Sequence, residues 1–474
     1  METNRNSITR KLSIDKILGE KKEGAGLKRS LKAMDLTLMG VGTVIGAGIF
    51  VITGVAAATY AGPALIFSFI IAGLCCGFAA LGYAELSSSI PAAGSSYTYA
   101  YVGLGEIFGW FIGWCITLEY VVAMSAISVG WSAYATNIIR VLGINLPDAL
   151  ALDPSAGGIV NLPAIVIIAI CGILQLKGAK TSAKVNNVLV IIKLSIIVLF
   201  IVLVATHIDP ANYHPFMPFG LKGVFSGAAI VFFSYLGFDA IANSAEETIE
   251  PEKNMPKGII GALLIATVLY IIVTLCLTGV VRYSSYAGVA APVAYALNAI
   301  GIQWGSALVS VGAITGLTTG VLVILGSQSR LMYSMSRDGL LPKTFSKLSG
   351  PGIPRTGIIC TWIVGTVIAG FLPIDKIAEL CNIGTLWAFF LVSLIVIVLR
   401  KTKPEMKRGF RCPGVPVIPI LAMAFCAFLA AQLSHMTWLV FFSWTAIGLC
   451  IYFGYGRKHS KLANADDSSD ELAG

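Results

Sequence analysis

The sequence predicts an all-α integral membrane protein, and three observations carry that prediction. Of 474 residues, 56% are apolar and only 12% charged, against about 25% charged in soluble chains, and the mean hydropathy is +0.83. Apolar stretches of about 20 residues, the length that spans a bilayer, recur along the whole chain. Two of these stretches are interrupted by glycine at a depth where backbone normally stays inside a helix.

Residues 1–33 are charged and polar, without a short apolar core and small-residue cleavage site, so they read as an inside tail and not as a cleavable signal. Twelve spans follow, near 34–60, 64–89, 104–138, 159–177, 183–206, 222–245, 258–281, 303–334, 357–373, 377–399, 415–434 and 436–455. The first contains Gly40, Gly42, Gly46 and Gly48, which make local unwinding cheap. A half-helix restarting near Gly48 aims its positive end at membrane depth, which suits a carboxylate. The sixth span breaks at Gly237, beside Asp239. Breaks five spans apart fit two five-helix inverted repeats, 34–206 and 222–399, each opening with a discontinuous helix. The pair 415–455 and a tail, 456–474, lie outside the repeats. No large soluble domain remains.

The segment from Ser87 to Tyr97 is small-residue-rich, which allows either a re-entrant, surface-hugging turn or an ordinary polar one. The segment 337–355 is basic and broken by Pro342, Pro351 and Pro354, and is expected along the inner surface.

Charge sets the orientation. On one side of the spans the loops carry only Arg140, Lys222, Arg282 and Lys376, and Lys193 lies within a span. The remaining lysines and arginines fall in both tails and the loops of the other side, which puts the termini in the cytoplasm. The net charge of +9 is thereby a topology and anionic-lipid signal, and a nucleic-acid partner is not expected. The ten cysteines lie almost all within spans and include no CxxC, so neither a disulfide framework nor a zinc site is expected. No GxxxxGK[ST] loop provides for a nucleotide, and no metal or cofactor is called for.

In order and spacing, the run Gly42-Thr43-Val44-Ile45-Gly46-Ala47-Gly48-Ile49-Phe50, the segment from Glu85-Leu86 through Pro91-Ala92-Ala93-Gly94, Leu118-Glu119-Tyr120, Phe232 to Asp239, and Glu246-Glu247 through Pro256 resemble the amino acid–polyamine–organocation transporters. Within them the chain is similar to the bacterial relatives of the cationic amino acid transporters. The resemblance spans essentially the whole chain and implies a fold similar to the sodium-coupled leucine transporter type, with alternating access around a midplane site. It implies that Gly46, Ala47 and Gly48 bind a substrate carboxylate through backbone N–H groups. Ile45, Phe233, Ser234 and Leu236 would offer carbonyls to the α-ammonium, and Phe233 would cover the ligand as a gate. Lys193 would stand where sodium-coupled relatives hold sodium, its ammonium replacing the cation and its deprotonation removing it.

Plainer readings stand beside these. Small residues also serve close helix packing, Phe233 could pack in the core, and Lys193 could be a static cation or snorkel to the surface. Asp239 more readily braces the broken helix than touches substrate. Glu119 is a carboxylate within a span and functional by default. It could face a cationic substrate, move protons or bond a neighbouring helix. Thr315, Thr318 and Thr319 could line a pocket, but bonding back to their own helix ranks first. Glu246 and Glu247 read as gate or loop-bracing charges.

The resulting expectation is a non-enzyme permease of the cell membrane. It moves L-amino acids, cationic or small neutral, by proton symport, with the bilayer, protons and substrate as its partners. An accessory subunit stays open. The alternatives are an exchanger or sodium symporter on the same fold, and a sensor that binds amino acid without flux. A membrane enzyme lacks a convergent catalytic cluster, and a channel lacks a filter-like carbonyl motif.

Overall fold

The computed structural model describes residues 10–12, 31–90, 95–178, 183–239, 241–242, 248–349 and 352–463, with side chains omitted for 183–186. Among the described residues the structure is helical, and extended pairing is confined to two isolated bridges, Leu31 with Thr248 and Ser349 with Ile353. The main helices are α1 (Ala33–Val44), α2 (Leu65–Ser89), α3 (Ser95–Gly103), α4 (Glu106–Val141), α5 (Leu162–Leu176), α6 (Ala183–Ala205) and α7 (Gly220–Val231). They continue with α8 (Pro251–Val280), α9 (Pro292–Ala299), α10 (Gln303–Arg337), α11 (Arg355–Phe371), α12 (Ile374–Thr402), α13 (Val417–Ala431) and α14 (His435–Ile451). Among the described residues, seven helical runs are long and apolar enough to cross a membrane, and four shorter apolar helices accompany them.

The helix α4 is the axle. Its most apolar window is 94% buried, and it packs against α10, α12, α5 and α11. A helix apolar on all sides must be enclosed by others or by lipid; α4 is enclosed by protein. By contrast the apolar window of α6 is only 33% buried, and Val188, Ile191, Val198 and Val202 point outward from it, as expected of a lipid-facing helix. The helix α1 packs on α8 and α6, and α2 on α8 and α7.

Two helices were not anticipated. The helix α3 is buried along its whole length and precedes α4 where a turn was expected; residues 91–94 of that turn lie outside the described residues. The helix α9 lies in the connection between α8 and α10. Glu246, Glu247 and Pro351 also lie outside the described residues.

Candidate functional site

The first break is local and sharp. The helix α1 ends at Val44, and Ile45 is extended, with φ −77° and ψ 93°. Helical geometry resumes as a π-helical segment, Gly48–Ile52, and runs on to Ala61. The opening amides of such a segment have no acceptor on their own helix. Those of Gly46, Ala47 and Gly48 donate to no backbone carbonyl elsewhere among the described residues. Beside Gly46 there is room: a Cβ there would meet only the Thr43 carbonyl oxygen, at 3.9 Å.

The second break answers the first. The helix α7 ends in a 3-10 turn, Phe232–Tyr235, and Leu236 is extended with ψ 142°. Gly237 then takes φ +102°, a conformation that side chains resist. The Thr43 hydroxyl donates to the Gly237 carbonyl (3.0 Å), tying break to break. The backbones also meet at Gly48, where a Cβ would lie 2.5 Å from Ser234 Cα. The Ser234 hydroxyl is buried in this contact and has no hydrogen-bond partner among the described residues.

Two long side chains hold the freed carbonyls. Lys193 of α6 is 3% exposed, and its ammonium donates to the carbonyls of Gly42 (3.0 Å) and Ile45 (3.4 Å). Gly316 of α10 makes space for its stem, since a Cβ there would lie 2.4 Å from Lys193 Cε. The Tyr270 hydroxyl of α8 lies between the carbonyls of Val44 (2.8 Å) and Ser234 (2.5 Å), so a single hydroxyl joins both broken helices. Its ring stacks on Phe69, with centroids 4.9 Å apart. Sequence reasoning missed Tyr270. The available signal was a lone tyrosine deep in an apolar span, because a buried tyrosine hydroxyl usually finds a partner.

Ile45, Gly46, Ala47, Gly48, Ser234 and Lys193 are thus brought together, with Leu236 at the rim of the second break. The carbonyls of Ile45, Phe233 and Ser234 already hold donors, from Lys193, the Leu236 N–H (3.2 Å) and Tyr270 respectively. Each keeps a second lone pair for a ligand. The Phe233 side chain is buried.

Glu119 keeps other company. It lies by the Thr385 hydroxyl of α12 and within electrostatic range of Asp239. The Cys381 thiol reaches the Glu119 backbone carbonyl (3.4 Å). The two carboxylates form a buried group, Glu119 on α4 and Asp239 just after the second break, beside α12. The three threonines of α10 bond back to their own helix, Thr315 to Gly312, Thr318 to Ile314 and Thr319 to Gly316 (2.9, 2.8 and 2.7 Å). Trp131 of α4 adds a donor to Thr318 (2.9 Å).

A cavity of about 590 Å³ opens at the end of the molecule away from the termini, lined by Val55, Asn137, Arg140, Asp148, Tyr295 and Asp375 among others. On the resumed first helix the cavity is lined by Val55 and Thr59, beyond the break at Gly48.

Residues 31–454 match the family model described as amino acid permease. The chain is 48% identical over 463 residues to the branched-chain amino acid permease BcaP of Bacillus subtilis, covering 96% of this chain and 99% of that one. It is 49% identical over 461 residues to the methylthioribose transporter of the same organism, covering 96% and 99%. It is 37% identical over 414 residues to the vacuolar cationic amino acid transporter 4 of Arabidopsis thaliana, covering 84% and 68%. With two broken helices facing each other and a match along nearly its whole length, the chain belongs to the amino acid permease family of the amino acid–polyamine–organocation superfamily.

Proposed function

We propose that this permease is a secondary active transporter of L-amino acids that takes them up by proton symport through alternating access. The observation that carries the reading is the pair of facing breaks, with the amides of Gly46–Gly48 donating to no backbone carbonyl elsewhere among the described residues and room beside Gly46. Three convergent N–H groups at a helix start suit a carboxylate. The carbonyls of Ile45, Phe233, Ser234 and Leu236 suit the α-ammonium, and Phe233 would close over the ligand. Lys193 supports the proton reading: its ammonium occupies α1 carbonyls as a bound cation would, and deprotonation would release them. It argues against sodium, because both cations would claim the same oxygens.

The twelve-span count, the two inverted repeats and cytoplasmic termini belong to the same proposal. A helical segment at each span position and the matched breaks support the first two, and the charge bias supports the third. On this reading the cavity is the outer vestibule, and the opposite face is closed.

Side-chain preference is less constrained. The branched-chain and cationic relatives support amino acids of either kind. A second reading, uptake of a thioether sugar, is favoured by the 49% identity to the methylthioribose transporter; such a ligand has neither carboxylate nor ammonium to use these breaks. Sodium-free proteoliposomes test all of this, with labelled L-alanine, L-leucine and L-arginine, with and without an inward proton gradient, and with methylthioribose as competitor. Gradient-driven accumulation of an amino acid is expected. Flux only against preloaded amino acid would make the protein an exchanger, binding without flux a sensor, and uptake of methylthioribose alone would replace the amino acid reading.

A further inference from the structure

Residues 10–12 and 452–463 converge on one buried carboxylate. Glu106 opens α4 with its side chain 1% exposed. It accepts hydrogen bonds from Tyr101 of α3 (3.1 Å), from Tyr452 (2.9 Å) and from Ser460 (2.5 Å). The Arg10 guanidinium lies 3.9 Å away. The Glu106 backbone N–H donates to the Arg10 carbonyl (2.8 Å), and the Leu12 N–H reaches the Tyr101 carbonyl (3.4 Å). A buried carboxylate needs compensation of this kind, and here the compensation comes from segments at opposite ends of the sequence.

The node sits on an apolar cluster separate from the main core. Tyr101, Trp110, Met335 and Tyr452 belong to it, and Leu12 and Leu462 from the two ends pack against it. The C-terminal strap is fastened again at the end of α10: the Lys461 N–H donates to the Asp338 carbonyl (3.0 Å), and Tyr97 donates to the Asp338 carboxylate (2.7 Å). The fit is close. A Cβ on Gly339 would lie 2.0 Å from the His459 carbonyl oxygen, so the strap lies directly on the backbone. None of these contacts involves the helix breaks, so substrate binding does not explain them.

We propose that the two terminal segments form a latch that holds this face of the permease shut. Residues 452–463 complete the pocket around Glu106, and that pocket holds residues 10–12 against α3 and α4. Residues 10–12 precede α1 in the sequence, and α1 packs on α8 and α6; on the alternating-access reading the first half of α1 shifts when this face opens. The latch therefore sets the cost of opening, and the C-terminal strap is where that cost can be adjusted. A negative charge added at Ser460 would face the Glu106 carboxylate and repel it. This inference rests on the alternating-access reading.

Hydrogen–deuterium exchange of the full-length protein in lipid, without substrate, tests it. The double variant Tyr452→Phe with Ser460→Ala removes two donors from Glu106. Amides of residues 36–44 should then exchange about tenfold faster, the equivalent of about 1.4 kcal/mol. Ser460→Thr, which keeps the hydroxyl, should exchange like the parent. Acceleration confined to 452–463, with α1 at its parental rate, would reduce the strap to an anchor and overturn the latch. Equal acceleration across α2 and α8 would mark a general loss of stability and overturn it as well. Absence of uptake by the parent chain would sink the transport reading alone, because the exchange comparison uses no substrate.

Discussion

Two glycines only two residues apart do different work at the first break. Gly48 is pressed on the Ser234 backbone, while Gly46 faces open space. Gly48→Ala should push the two breaks apart. Overpacking of that kind costs about 1–3 kcal/mol, so both thermal stability and amino acid binding should fall. Gly46→Ala should leave stability near the parent and still weaken binding, because its methyl enters the space beside the free amides. Thermal unfolding with and without amino acid separates the cases; a Gly46→Ala protein with parental binding would remove that amide turn from the site. Tyr270→Phe keeps the ring stacked on Phe69 but deprives the Val44 and Ser234 carbonyls of their shared donor. A buried acceptor left unpaired costs about 1–3 kcal/mol. Apparent affinity should fall about tenfold, and unchanged affinity would show that the hydroxyl positions nothing.

At the scale of the helices, α6 and α10 together deliver an ammonium to α1. Lys193→Ala should abolish accumulation driven by a proton gradient while sparing counterflow of amino acid. Gly316→Ala should do the same without touching a charge, since its methyl would displace the Lys193 stem from the Gly42 carbonyl. Full gradient-driven uptake by either variant would end the coupling role of that contact. Much of this scale was legible in the sequence. The clustered glycines announced the first break, Gly237 the second, and membrane-depth charge singled out Lys193. The threonines of α10 bond back as their local chemistry favours. The partners were not legible. Tyr270 reaches Val44 across 226 positions of sequence, and no local pattern encodes so distant a contact. Buried α3 was hidden for a related reason: a short helix of serines and tyrosines has weak apolar periodicity and is stabilised by what packs around it.

For the whole molecule, alternating access requires that closure at one face be strong enough to hold and weak enough to release. The face with the termini has a second fastening besides the latch. Glu85, at the end of α2, takes both nitrogens of a bidentate pair from Arg400 (2.8 and 2.7 Å), Nε of Arg408 (3.1 Å) and the Cys412 N–H (2.8 Å). Arg408 also caps the end of α12 through the carbonyls of Leu399 and Lys403, both at 3.0 Å. These bonds pin α2 to α12 and to the segment after it, whereas the opposite face holds an open cavity. Glu85→Gln keeps the shape and removes the charge. It removes the carboxylate partner of Arg408, whose side chain is 3% exposed and keeps only its carbonyl acceptors, and breaking a buried pair costs about 3–5 kcal/mol. Arg400, 27% exposed, contributes less because water screens it. The variant should unfold at lower temperature and spend more time open on the side of the termini. A cysteine placed at Asn137 in the cavity should accordingly react more slowly with a membrane-impermeant thiol reagent applied from the cavity side. A lower unfolding temperature with unchanged reactivity would make Glu85 a structural tie with no share in the balance between the two faces.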